Sequence, residues 1–294
     1  MKQKILFIIN PTSGLNKHKG IESLIRKFVN GDLFDFEIKY TQYAGHAILL
    51  GKEAVQQSYD LIMVAGGDGT VHEVSQHVIG TQTALGIIPA GSGNGLSMHL
   101  QIPQNFEKAI QLIHSGKYLA IDTVLLGHSS SFLGVAGIGF DAHISEAFSH
   151  FGRRGFLSYI RLTMKEYKSY RSRDYNLVLD GLSLKKNAFL ICFANSSQYG
   201  NRAFISPDSD IIDGYINVCI LKKIPMMKVA YFIWQLFNKK AHLSEYMEVI
   251  KAKEIFVRNH EKMLYHTDGE PRSIMQDLHI QIQPASLKML VLNF

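Results

Sequence analysis

Leu61-Ile62-Met63-Val64-Ala65-Gly66-Gly67-Asp68-Gly69-Thr70 runs an apolar segment straight into a glycine turn, and a helix-period segment follows over 70–79. Strand, tight turn and helix in that order make one half of a βαβ unit, and the chain around it repeats the pattern. Upstream, strands are expected at 4–9 and 36–41 with helices at 20–29 and 46–57; downstream, a strand at 84–89 precedes a helix at 106–114. This is the texture of a doubly wound α/β domain with a mostly parallel sheet, and it lasts to about Asp122.

Beyond Asp122 the texture changes. Strand-like pieces at 176–179, 188–193, 215–221, 254–258 and 279–282 are separated by turn residues, and two helices interrupt them at 156–170 and 226–237. The expectation is an α/β nucleotide-binding domain over 1–122, followed by a mostly antiparallel β-sandwich over 123–294, whose tail is left free to return to the first domain. With 294 residues, 46% hydrophobic and 19% charged, the chain has the size of roughly two domains and the composition of a fully folded protein.

Three turns of the first domain share one construction. Asn10-Pro11-Thr12-Ser13-Gly14, Gly66-Gly67-Asp68-Gly69-Thr70 and Gly91-Ser92-Gly93-Asn94-Gly95 each follow an apolar strand and precede a helix. Ligands of open α/β sheets gather at such turns. Glycines admit a phosphate to the backbone N–H groups, and a helix N-terminus adds favourable partial charge. A nucleotide phosphate chain is the natural guest. Asp68 would repel it unless a cation or a transferred proton is involved, which magnesium would resolve. Thr70 and Glu73 stand at capping-box spacing, so Glu73 is expected to cap the following helix beside the nucleotide.

Other motifs fail. Gly91, Gly93 and Leu96 miss the third position of G-x-G-x-x-G, Gly137, Gly139 and Ala142 fit only its loosened form, and no G-x-x-x-x-G-K-[ST] is present. His72 and His77 are five apart and point to different helix faces, unlike a zinc pair. Cys192 and Cys219 signal neither disulfide framework nor zinc, and suit reduced thiols in a cytoplasmic protein. The net charge of +6 does not choose a partner by itself, and without a recognised motif nucleic acid is not expected.

Two acidic clusters mark the second domain. His266-Thr267-Asp268-Gly269-Glu270-Pro271 offers a carboxylate that could accept the proton of an attacking hydroxyl. Ser206 to Tyr215 contains Asp208, Asp210 and Asp213 outside the EF-hand register; Asp210, Asp213 and the Tyr215 carbonyl could hold a hard cation.

In this order, Asn10-Pro-Thr-Ser-Gly14, Gly66-Gly-Asp-Gly-Thr70, Pro89-Ala-Gly-Ser-Gly-Asn94, Pro207 to Gly214 and Asp268-Gly-Glu270 resemble the bacterial diacylglycerol kinase family, which includes sphingosine and other lipid kinases. G-G-D-G-T alone is shared with NAD kinases; the Asn-Pro loop and the late Asp-Gly-Glu favour the lipid branch. The resemblance implies ATP held by Asn10, Pro11, Ser13, Gly14, Thr41, Gly66, Gly67, Asp68, Gly69, Thr70, Glu73, Gly91, Ser92 and Asn94 in a cleft between the domains, with Glu270 near the phosphates. It implies Asp268 as general base, Asp68 organising magnesium and phosphates, and a structural Mg2+ at Asp210, Asp213 and Tyr215. Two departures stand out: Asn195-Ser-Ser-Gln-Tyr-Gly-Asn-Arg202 replaces a glycine-rich stretch, and the third loop continues Asn94-Gly95-Leu96. The alternatives are an NAD kinase and a non-catalytic nucleotide- or lipid-binding regulator.

No stretch approaches the ~20 apolar residues of a membrane span, so contact with the membrane that presents the lipid is expected to be peripheral. The helix at 156–170 places Leu157, Ile160, Met164 and Tyr167 at helical spacing, flanked by Arg153, Arg154, Arg161, Lys165 and Lys168. It is a candidate for that contact or for ordinary core packing. Whether the chain forms a homodimer is left open.

Overall fold

The computed structural model describes residues 2–15, 20–127, 130–149 and 156–292. They form two compact units, residues 1–123 with 284–294 and residues 124–283.

In the first unit β1 (Gln3–Ile9), β2 (Phe34–Tyr40), β3 (Leu61–Gly66) and β4 (Ala84–Pro89) alternate with α1 (Ile21–Phe28), α2 (His46–Gln56), α3 (Asp68–Val78), α4 (Gly95–His99) and α5 (Phe106–Ser115). The strands pair in parallel in the order β2-β1-β3-β4. Ile5 to Ile9 and Leu61 to Ala65 are almost fully buried, which is why these strands read as continuous apolar runs. Helices α2 and α3 pack closely, because a Cβ on Gly51 would stand 2.9 Å from the Val74 carbonyl oxygen. The unit is completed by the end of the last strand, where Met289 pairs with Leu85.

β5 (Lys117–Leu126) runs from the first unit into the second, which goes on with β6 (Ser130–Phe132) and β7 (Val135–Gly139), then α6 (Phe140–Ser149) and α7 (Phe156–Ser169). It continues with β8 (Arg173–Leu179), β9 (Leu182–Ala188), β10 (Leu190–Ala194), β11 (Ile216–Leu221), α8 (Met226–Phe237), β12 (Met247–Ala252), β13 (Glu254–Arg258), β14 (Met263–Thr267), β15 (Glu270–Ile274) and β16 (Leu278–Val291). One antiparallel sheet has the order β12-β11-β10-β7-β14-β15, and β13 lies between β8 and the first residues of β16 in a second.

Side-chain alternation splits the strands of the six-stranded sheet between two cores. Ile191, Phe193, Val218 and Ile220 face the core between the sheets. Leu190, Cys192, Cys219 and Leu221 face the opposite core, shared with Phe140, Tyr167, Val229 and Phe232 of the helices. Both cysteines are free and buried, and the register sets them opposite each other on β10 and β11. Their distance along the chain hides this.

On α7, Tyr167 is core and donates a hydrogen bond to the Ile224 carbonyl at 2.6 Å, whereas Arg161, Met164, Lys165 and Lys168 are exposed. Arg153 and Arg154 lie outside the described residues.

Candidate functional site

The glycine turns follow the carboxyl ends of β1, β3 and β4, which run parallel, so all three open at one edge of the first unit's sheet. Thr41, buried at the end of β2, joins them there and donates its N–H to the Ile9 carbonyl. A cleft of about 920 Å³ opens at the other ends of the strands beside Lys4, Asp60 and Lys288. Sheets of this kind bind ligands beyond the carboxyl ends, so the glycine edge is the candidate site.

The three turns are tied together. Asn10 donates from Nδ2 to Thr70 Oγ1 at 2.8 Å, linking the first turn to the second, and its Oδ1 accepts from the Thr12 N–H and hydroxyl. After Pro11, Ser13 and Gly14 form a short 3-10 turn, with Gly14 at φ 58°. Gly66 leaves no room for a Cβ, which would fall 2.6 Å from the Thr70 Cβ. A Cβ on Gly67 would stand 3.1 Å from the Gly91 Cα. Asp68 links the second turn to the third: its Oδ2 accepts the Gly95 N–H at 3.0 Å and its Oδ1 the Leu96 N–H at 3.2 Å. The carboxylate is thus answered by the N-terminal amides of α4, the charge pairing a helix start favours. Asn94, just before α4, is left-handed at φ 52°, and Ser92 is exposed at the tip of its turn.

The capping box does not form. Helix α3 starts at Asp68, three residues earlier than a cap at Thr70 implied, and Gly67 precedes it without a side-chain cap. Glu73 therefore lies in the second turn, where its Oε1 accepts the Gly45 N–H at the start of α2, at 3.2 Å.

In the second unit, Asp268 and Gly269 are the two turn residues between β14 and β15, with φ of 48° and 88°. Positive φ at both positions is the primed hairpin turn that Asp-Gly favours. Asp268 Oδ1 accepts the N–H groups of Gly134 at 2.9 Å and Val135 at 3.1 Å, and Oδ2 that of Leu133 at 3.2 Å. Three consecutive amides therefore hold the carboxylate. Glu270, first in β15, pairs in register with Thr267 and is exposed.

The 210–215 turn closes on itself. Asp210 Oδ1 accepts the Ile212 N–H and Asp213 Oδ1 the Tyr215 N–H. The other Asp213 oxygen meets the Lys251 ammonium at 2.6 Å, and Tyr215 is partly exposed beneath Lys253. These are hard oxygen donors of the kind magnesium takes, but Lys251 supplies a positive charge there already, and no cluster of three or more His, Cys, Asp or Glu is found among the described residues.

Residues 4–126 match the diacylglycerol kinase catalytic domain, and residues 134–291 match the YegS C-terminal NAD kinase beta sandwich-like domain. The chain belongs to the diacylglycerol kinase family of lipid kinases. It is 27% identical over 278 residues to a diacylglycerol kinase of Staphylococcus carnosus (strain TM300), covering 92% of this chain and 89% of that one. It is also 27% identical over 274 residues to one of Bacillus subtilis (strain 168), covering 90% and 88%. The crystal structure of a diacylglycerol kinase from Bacillus anthracis str. Sterne shares the fold, with a TM-score of 0.72 at 23% identity over 98% of this chain and 97% of that one.

Several residues of this lipid kinase that support Asp268 escaped the sequence reading. Gly134 is required because a Cβ there would stand 2.8 Å from Asp268 Oδ1. Asn195, fully buried at the head of the glycine-poor stretch, donates from Nδ2 to the Leu133 carbonyl at 2.8 Å, while the N–H groups of Asn195 and Ser196 bind the Gly134 carbonyl. Ser145 of α6 donates to the Gly269 carbonyl at 2.6 Å. Beside the turn, His266 Nε2 lies 2.8 Å from Asp141 Oδ2, which also accepts the Tyr199 hydroxyl at 2.8 Å. Burial by itself pushes His266 down, but Asp141 and Asp268 outweigh it and its pKa is raised. The Gly137–Ala142 segment, set aside as a failed dinucleotide motif, turns out to be the β7–α6 junction that delivers Asp141.

Proposed function

We propose that this lipid kinase transfers the γ-phosphoryl group of ATP, bound with Mg2+, to the free hydroxyl of a lipid such as a diacylglycerol or a sphingoid base. The observation that carries this reading is Asp268, a carboxylate held by three consecutive amides in a chain whose other unit collects three glycine turns at one sheet edge. Asn10, Pro11, Ser13, Gly14, Thr41, Gly66 to Thr70, Glu73, Gly91, Ser92 and Asn94 bind the nucleotide. Asp68 sets the third turn against the second through the Gly95 and Leu96 amides, so the backbone donors face the phosphates as a unit. Asp268 accepts the proton of the attacking hydroxyl as the oxygen bonds to phosphorus and ADP leaves. Glu270 stays near the phosphates. Asp68 would help hold magnesium with the ATP phosphates, where the ion would supply charge neutralisation. Asp210, Asp213 and the Tyr215 carbonyl would take a second Mg2+ only by giving up the Lys251 contact, and no step passes through them. Two buried free thiols suit a cytoplasmic setting.

The test is magnesium-dependent transfer of label from γ-labelled ATP to a panel of diacylglycerol, sphingosine, phosphatidylglycerol, undecaprenol and NAD, with Asp268→Asn alongside. Label in one lipid that disappears in the variant, while ATP still binds, supports the reading. Label only in NAD moves the activity to the NAD kinase branch, and no ATP consumption with any acceptor makes the chain a binding regulator.

A further inference from the structure

Helix α8 is apolar on both sides. Val229, Phe232 and Leu236 pack on the helix-side core of the second unit. The remaining arc carries Met226, Met227, Tyr231, Ile233, Trp234 and Phe237, every one exposed, Met227 to 97% and Tyr231 to 60%. A helix apolar all round belongs in a core or a membrane, and single exposed apolar residues are ordinary where six on one short helix are not. Tyr231 and Trp234 stack with ring centroids 5.7 Å apart, so two aromatic faces are kept outward together.

The charge around this helix is mostly positive. Residues 222–246 contain Lys222, Lys223, Lys228, Lys239 and Lys240 and a single acid, Glu245, which pairs with Lys228 at 2.6 Å. Lys240 lies over the Trp234 ring at 5.3 Å. At the helix start a cleft of about 460 Å³ is lined by Tyr167, Lys168, Lys223, Ile224, Pro225 and Met226, apolar walls with two ammonium groups. Trp, Tyr and Met with lysines at both ends is the composition of a helix lying in a membrane interface, where rings sit at headgroup depth and lysine stems reach the phosphates. A second copy of the chain would set Lys222, Lys239 and Lys240 against their own counterparts, which disfavours self-association through this face.

We propose that α8 docks the enzyme on an anionic phospholipid surface, its exposed arc inserted and Lys222, Lys239 and Lys240 on the headgroup phosphates. This rests on the reading of the acceptor as a lipid and names the element that reaches it; it also moves the contact from α7, whose Tyr167 is core. Lipid docking and phosphoryl transfer are separable, since vesicles need no ATP to be bound.

Trp234 is the chain's single tryptophan, so its fluorescence reports on α8 alone. The whole protein is titrated without ATP with vesicles of phosphatidylcholine containing phosphatidylserine, and with phosphatidylcholine alone. Expected are a blue-shifted emission shielded from acrylamide with the anionic vesicles, about tenfold weaker partitioning for Met227→Ser/Tyr231→Ser, and a loss of about fivefold per charge in Lys239→Ser and Lys240→Ser. These positions are exposed, so the variants should melt as the parent does. An unshifted emission with both vesicles, or equal binding to both, overturns the proposal. So does an emission already blue in buffer together with a dimer by sedimentation, which would give the face to a second copy. Each of these results leaves the kinase assay unaffected.

Discussion

Gly67 and Gly91 touch through their backbones: a Cβ on Gly67 would stand 3.1 Å from the Gly91 Cα, and one on Gly91 would collide with the Gly67 Cα. Neither glycine needs its freedom of φ here; both are needed for closeness. Two turns that start from different strands are thereby pressed into one surface.

Gly91→Ala should separate them. The added methyl meets main chain, which yields poorly, so a destabilisation of about 1–3 kcal/mol is expected. ATP affinity should fall with it. Thermal melting and nucleotide titration check both.

A gentler lesion is available in the other unit. In Gly134→Ala the new methyl would press on Asp268 Oδ1 from 2.8 Å and displace the carboxylate. Misplacement of a reacting group by an ångström is worth about 100-fold in rate, so turnover should drop on that scale while ATP binding, measured on the same sample, stays as in the parent.

His266 should give stability a pH dependence. Its pKa is raised above the histidine value of 6.5, burial opposing and Asp141 prevailing, so the protonated ring favours the folded state. Its contribution is complete below the unfolded value and is lost as pH rises through the higher folded one. Tyr199, pushed well up by burial and by Asp141, stays neutral in this window, and Cys192, also pushed up by burial, stays a thiol. The melting temperature should therefore decline as the pH rises above the ordinary histidine value of about 6.5, and His266→Gln should flatten that decline. Parallel curves for the two proteins would contradict it.

The thiols give the simplest check. Cys219 is pushed up to about 12 by burial, and Cys192 is raised likewise. Ellman's reagent should find no reactive thiol in the native protein and two in denaturant.

The α/β half was legible because each element carries its own signal. Ala84–Pro89 and Phe106–Ser115 stand within a residue of expectation, and glycine turns mark the site edge without any contact being known. The second half was harder. β9 (Leu182–Ala188) and β12 (Met247–Ala252) are mixed polar strands with no strong period, and α6 begins directly after β7 without a turn to announce it. The capping box failed for a local reason: three residues of extra helix changed which residue stood where. What supports Asp268 was hidden because Leu133 to Val135, Ser145 and Asn195 meet only through long-range pairing of β7, β10 and β14.

The grip on Asp268 comes from main-chain amides, and this has an evolutionary consequence. Any residue but proline at positions 133 and 135 presents the same N–H provided the backbone keeps its path, so the side chains there answer only to the buried sites they fill. Position 134, where a methyl would strike the carboxylate, is the one restrained by Asp268 itself. Distant relatives could aim this carboxylate identically while carrying different core side chains around it, and an alignment would find the aspartate without finding what points it.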